Sequence, residues 1–186
     1  KNELCQTTLK DEVRDDTTLT KLSQLKPVFK TKGSVSAGNA SSLNDGAAFL
    51  VLASSEYVKA NKIKPLAKVL SWSSSAGNPD YMGITPITAI QKLMKKMSVN
   101  ISFFDLIEIN EAFAATSVAV QRSLQIDPNK LNIVGGAIAL GHPIGCSGTR
   151  IVTTLAHQLK RTKKKFGVAS MCIGGGQGLA MAIEKL

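Results

Sequence analysis

The sequence predicts an α/β fold, a mostly parallel mixed five-stranded sheet covered by helices. Three observations predict it. Apolar runs of strand length alternate with segments of helical periodicity. The resulting order, β-α-β-α-β-α-β-α-β-β, is the one expected where helices cover a sheet. Clusters of Gly, Pro, Ser and Asn separate the elements, and no short-period repeat is present.

The elements follow in order. Residues 1–43 are polar and weakly periodic and form an arm, with a short helix over residues 19–25 that Pro27 stops; residues 44–186 form the folded domain. AAFLVLA (47–53) is an apolar run of strand length. Ser54 caps a helix over SEYVKAN, and Pro65 opens the strand LAKVLSW. Pro86 stands in the first turn of a helix with Ile87, Ile90, Leu93, Met94 and Met97 on one face, a packing stripe. FDLIEIN reads as a buried strand ending at Asn110, AFAATSVAVQRSL as a helix buried on several sides, and LNIV as a further strand. Ser147 begins the helix GTRIVTTLAHQLKR, and FGVASMC and LAMAIEK are two last strands joined by GGGQG.

Composition narrows the function classes. Of 186 residues, 44% are hydrophobic and 19% charged, which describes a folded globular chain with a real core. No apolar run reaches membrane-spanning length and KNELCQ has no signal-like core, so no membrane partner is expected. The net charge of +10 suits an anionic ligand. Its lysines cluster at helix tails (Lys92, Lys95 and Lys96, then Lys160 to Lys165), where the helix dipole favours them, and aromatic residues to stack bases are few, so no nucleic-acid partner is expected. Cys5, Cys146 and Cys172 are widely spaced and odd in number, without CxxC or Cys/His spacing. That predicts no disulfide framework, no metal site and a cytoplasmic, reducing location.

The chemistry centres on two glycine-rich loops. His142 sits in GGAIALGHPIGCSG, and Cys172 ends an apolar strand immediately before GGGQG, 30 residues later (172 − 142). A histidine and a thiol on converging loops suit acid–base or nucleophilic chemistry. Asn110, His142 and Cys172 all follow strands, where open α/β sheets place their sites. GGGQG is neither GxGxxG nor a Walker loop, and a strand rather than a helix follows it. It reads either as backbone N–H groups exposed beside Cys172 or as a plain hairpin turn. His157 reads as a surface residue, Cys5 and Cys146 as inert thiols. Glu111 reads as a base or as a helix-dipole partner, and Asn110 alone as a possible cap.

NEAFAA (110–115), GGAIALGHPIGCSGTR (135–150) and CIGGGQG (172–178) resemble the thiolase family, with its acetoacetyl-CoA thiolase (acetyl-CoA acetyltransferase) branch the nearest likeness. GSVSAGNASSLNDGAA (33–48) and MGITPITA (82–89) extend the resemblance over nearly the whole chain, in register. The resemblance implies one of the two repeated halves of a thiolase, the C-terminal one. The acyl-carrying cysteine, in a CxSG-type segment of the other half, is missing: Cys146 precedes SG but belongs to the GHPIGCSG loop.

The implied reaction is the Claisen condensation of two acetyl-CoA to acetoacetyl-CoA plus CoA, and the reverse thiolysis. His142 would activate the nucleophile of the absent half, and Cys172 would take a proton from the second acetyl-CoA. His142 and a water held by Asn110 would stabilise the enolate, and the N–H of Gly174 would serve the tetrahedral intermediate. Ala37 and Ser41 would lie beside the pantetheine arm and Arg14 near the nucleotide phosphates. Phe113 would border the acyl pocket. Coenzyme A thioesters would be substrates, with no permanent cofactor. The partners would be the chain's own N-terminal half and further copies, as homodimer or homotetramer, and the 186-residue chain alone would be inactive. A degradative 3-ketoacyl-CoA thiolase of fatty-acid oxidation is the alternative within the family, and a non-catalytic assembly domain the alternative outside it.

Overall fold

A computed structural model of the chain describes residues 13–186; Cys5 and the rest of the arm's first twelve residues lie outside it. The sheet has the order β1-β4-β3-β2, with β1 Ala67–Ala76, β2 Leu106–Ile109, β3 Phe166–Ile173 and β4 Gln177–Lys185. β2 and β3 run parallel, with Leu106 opposite Gly167 and Ile109 opposite Ser170, whereas β4 is antiparallel to both β3 and β1. The α/β class holds, but the described sheet has four strands, not five, and a single parallel pair.

Of the six strand segments the sequence offers, two form no strand of this sheet. Residues 47–53 have no ladder partner among the described residues, and Phe49 and Val51 stand 89% and 95% exposed. An apolar run becomes a strand only when another strand or a core receives it. In LNIV, Leu131 makes one bridge to Ile107, and then Asn132, at φ +45°, turns the chain away. Its side chain occupies the ladder position instead: Oδ1 accepts from Ile109 N (2.8 Å) and Nδ2 donates to Ile109 O (2.9 Å).

Helices cover both faces. α1 (Leu19–Ser23) and α2 (Ser55–Ala60) bury no residue of their own, and the Ser54 hydroxyl accepts from Tyr57 N as its sequence position suggests. α3 (Thr85–Met97) presents Ala89, Ile90 and Leu93 to Phe104, Ile107, Ile109, Val168, Ala180 and Ala182 in the larger core. α4 (Ala114–Leu124) joins that core through Val120 and Leu124, burying one face rather than several, and Val118 is 41% exposed. After the single turn of α5 (Ala137–Leu140), α6 (Ile144–Thr162) begins three residues before Ser147. Its Ile151, Leu155 and Leu159 pack with Leu106, Ala169 and Ile183 on the opposite face of the sheet. The period-2 alternation of β2 therefore sends Ile107 and Ile109 toward α3, and Glu108 and Asn110 toward α6.

Candidate active site

Asn110 directly follows β2. It is fully buried, and its N–H continues the ladder by donating to Ser170 O at 2.9 Å. His142 arrives from the other side. Gly141, at φ +91°, ends α5 in a conformation open to glycine, and His142 N then donates to Ser42 O of the arm at 3.0 Å. The imidazole touches Asn110 and α6 together: Nε2 lies 3.3 Å from Asn110 Nδ2, and Nδ1 lies 2.6 Å from Ser147 Oγ.

These contacts fix the ring's proton. Ser147 Oγ donates to Pro143 O at 3.0 Å, so it accepts from Nδ1–H. Nε2 is then the unprotonated nitrogen and accepts from the Asn110 amide. The amide's orientation is fixed in turn by Arg150, which can only donate and reaches Asn110 Oδ1 at 3.3 Å. Burial, with the Arg150 charge adding to it, lowers the His142 pKa below the usual histidine value. The ring is held neutral, with its basic lone pair on Nε2.

Cys172 is 5% exposed near the end of β3, the strand next to Asn110 and two residues beyond Ser170. Burial pushes its thiol pKa up, so it rests protonated at neutral pH. The thiol makes no hydrogen bond to other described residues, and β3 carries it to the strand tip next to that of Asn110. The GGGQG turn is a hairpin and also more than one. Gly175 and Gly176 adopt φ +88° and +87°, and a Cβ on Gly176 would meet Gly77 O at 2.6 Å. Gly77 N donates to Gly176 O at 2.8 Å, tying the turn to the segment after β1. Gly174 lies at the exposed tip, open space surrounds its Cα, and its N–H has no acceptor among the described residues.

A cleft of about 740 Å³ runs between the arm and the loop before His142, lined by Arg14, Lys21, Ala37, Ser42, Ile138 and Leu140 among others. Arg14 and Ala37 both line it, and its Ser42 wall is the residue that receives His142 N–H. Ser41 and Phe113 are placed otherwise. Ser41 uses both N and Oγ to donate to Ala112 O, each at 3.0 Å. Phe113 bridges Ala40 and packs edge-on against Phe29 with ring centroids 6.0 Å apart. Both stitch the arm to the loop after β2.

Sequence reasoning missed the site roles of Ser147, Arg150 and Glu108 and left that of Glu111 open. Ser147 and Arg150 lie three apart on α6 and therefore share a face, one reaching His142 and the other Asn110. Glu111 accepts from Asn132 Nδ2 (3.0 Å) and Ile138 N (3.2 Å), which joins the loop after β2 to α5, a contact that neither the base nor the helix-dipole reading anticipates. Glu108 is 3% exposed, and burial raises its pKa to about 7, with Glu111 adding to the rise and Arg150 opposing it. A carboxylate inside the apolar run FDLIEIN was the available signal for Glu108. Among the described residues, no group of three His, Cys, Asp or Glu side chains is arranged to hold a metal, and no helix is long and apolar enough to cross a membrane.

A mixed sheet covered on both faces, with its polar side chains gathered at strand tips beside a cleft, defines an α/β protein of the site-bearing kind. The family model for the thiolase C-terminal domain matches residues 63–185, and that for the thiolase N-terminal domain matches residues 1–56. The chain belongs to the thiolase family, and its fold is half of a thiolase. It is 49% identical over 174 residues to the mitochondrial 3-ketoacyl-CoA thiolase of Rattus norvegicus, an alignment covering 94% of this chain and 44% of that one. The crystal structure of the Bacillus anthracis acetyl-CoA acetyltransferase superposes with a TM-score of 0.93 at 49% identity, over 95% of this chain and 45% of that one. Human mitochondrial 3-ketoacyl-CoA thiolase in complex with CoA superposes with a TM-score of 0.88 at 43% identity, again over 95% and 45%. The chain thus spans less than half the length of these relatives.

Proposed function

We propose that the chain is the C-terminal part of an acetyl-CoA acetyltransferase, condensing two acetyl-CoA to acetoacetyl-CoA and CoA and catalysing the reverse thiolysis. The observation that carries this reading is the neutral His142, whose Nε2 lone pair is turned toward Asn110 beside the cleft. In the forward direction a nucleophilic cysteine of the other half loses its proton to Nε2, attacks the first thioester and expels the CoA thiolate, which takes up the proton of Cys172. Deprotonated for this step, Cys172 takes a proton from the methyl of the second acetyl-CoA. The resulting carbanion attacks the acyl-enzyme carbonyl, and the cysteine leaves as thiolate. Nε2, once protonated, donates to the enolate oxygen, with Asn110 beside it and the free Gly174 N–H serving the tetrahedral intermediate. The buried, protonated resting state of Cys172 requires that it be deprotonated within the assembled site rather than in the bulk.

The cleft is read as the coenzyme A site. Arg14 supplies a charge for phosphate at one end, and the pantetheine arm passes Ala37, with Ser41 and Phe113 holding the wall behind it. This divides the chain into an arm, residues 1–43, and a body, residues 44–186, with the cleft where they meet. The exposed run at residues 47–53, inside the stretch that matches the N-terminal domain, is read as a strand whose partners lie in the other half. The enzyme acts as a homodimer or homotetramer in a reducing compartment such as the cytoplasm, where Cys172 stays a thiol. The chain alone is inactive for want of the nucleophile. The likeness to the rat enzyme favours a second reading, a 3-ketoacyl-CoA thiolase of fatty-acid oxidation.

The test is acyl transfer by the enzyme completed with its other half. His142→Ala and Cys172→Ala should each lower it by orders of magnitude. Unchanged transfer in both would reject the reading in favour of an assembly role. The kcat/KM ratio for acetoacetyl-CoA against a long 3-ketoacyl-CoA separates the two thiolase readings.

A further inference from the structure

Resting on the acyl-transfer reading, we infer that Arg150 is a positioning residue that fixes the polarity of the Asn110 amide, so that Asn110, through the water it would hold, and His142 both serve the same substrate oxygen. An asparagine amide can face a neighbour with either its oxygen or its nitrogen, and burial alone does not choose between them. Here the choice is forced from behind. Arg150 Nη2 donates to Asn110 Oδ1, so the NH₂ group faces His142 Nε2. The hydrogen bonds then run in one direction, from Arg150 through the amide to the imidazole and on through Ser147 Oγ to Pro143 O.

The consequence appears once Nε2 holds a proton. A free amide would rotate and accept that proton through Oδ1, pairing the two groups with each other and leaving nothing for the substrate. With Oδ1 held by a guanidinium that cannot accept, rotation would set two donors against one another at Arg150. The amide therefore stays as it is. Nε2–H and Nδ2–H are both left to donate outward, the second through its water, and two donors aimed at one developing negative charge form an oxyanion hole. Arg150 meets the amide at its oxygen end, away from the NH₂ that faces His142, so its action is placed on the amide.

The experiment is a double-mutant cycle in the complete enzyme. Arg150→Met should lower kcat about 100-fold, as expected for loss of one oxyanion donor, with KM for the CoA thioester unchanged. In an Asn110→Ala background the same substitution should have little further effect, because the group it acts through is gone. Arg150→Lys, which still only donates, should recover a large part of kcat. If Arg150→Met does not fold, Arg150→Gln carries the same cycle. Wild-type kcat in the Arg150 variants, or an equal loss with and without the Asn110 amide, overturns the inference. An enzyme indifferent to His142→Ala and Cys172→Ala overturns the acyl-transfer reading instead, so the two failures are distinguishable. A ¹⁵N spectrum of His142 gives a readout independent of turnover: a neutral ring protonated on Nδ1 is expected in the wild type, and one protonated on Nε2 contradicts the proposed direction of the chain.

Discussion

Glu108→Gln should stabilise the protein at alkaline pH and leave it nearly unchanged in acid. Glu108 lies on the α6 side of β2 with 3% of its surface exposed, and its pKa is raised from 4.5 to about 7. A raised carboxylate pKa means that the folded state binds the proton more tightly than the unfolded chain does. The associated stability is fully present below pH 4.5 and is lost as pH rises through about 7. A rise of this size corresponds to on the order of 3 kcal/mol at about 1.4 kcal/mol per pKa unit. Glutamine keeps the shape and removes the ionisation. Urea unfolding of wild type and variant between pH 5 and pH 8 should therefore give curves that nearly meet at the acid end and separate by on the order of 3 kcal/mol at the other. The lowered His142 pKa works in the opposite direction, adding stability as pH rises through the histidine range, but it is common to both proteins and cancels in the difference. The raised thiol of Cys172 affects stability only above its ordinary value of 9.0. Parallel curves across the interval would refute the reasoning and show that Arg150 compensates the Glu108 charge in full.

Other perturbations have equally definite outcomes. Leu93→Ala empties a fully buried position in the α3 core and should cost about 2–5 kcal/mol in urea unfolding. Gly176→Ala, at φ +87° with backbone 2.6 Å from the new Cβ, should deform the hairpin; unfolding should show a loss of about 1–3 kcal/mol, and activity in the complete enzyme should fall with Cys172 and Gly174 displaced. Because the His142 pKa lies below the usual value, the acid limb of kcat/KM should fall below the ordinary histidine range, and Arg150→Gln should move it to higher pH. Alkylation of Cys172 by iodoacetamide should be slow at neutral pH and accelerate only at a pH above that for a free thiol.

Much of this was legible in the sequence where a single element carries its own signal. The FDLIEIN strand, the helix with Pro86 in its first turn and the GGGQG hairpin each show an uninterrupted apolar or glycine pattern, and each forms as expected. The loop histidine and the strand-end asparagine were found because they sit between a strand and a turn. Residues 47–53 and LNIV failed for a common reason: periodicity reports which residues seek burial, while a strand also needs a partner backbone. In LNIV that partner position is occupied by the Asn132 side chain, and nothing in the local pattern announces it. Ser147 and Arg150 escaped notice because their importance comes from a tertiary contact between α6 and the strand tips. Their spacing on the helix merely permits it.

The Asn132 amide has a consequence for how the molecule can grow. By saturating both backbone groups of Ile109 it closes that border of the sheet beside Asn110, so no incoming chain can zip up against the reactive end of β2. The opposite border, formed by the ten residues of β1 with Trp72 and Val69 half exposed, is met among the described residues only by lysine ends: Lys96 Nζ donates to Trp72 O and Lys92 Nζ to Ser74 O, each at 3.3 Å. The margin nearest the chemistry is thus shut by a fixed amide, and the far one is guarded by long side chains that can swing away.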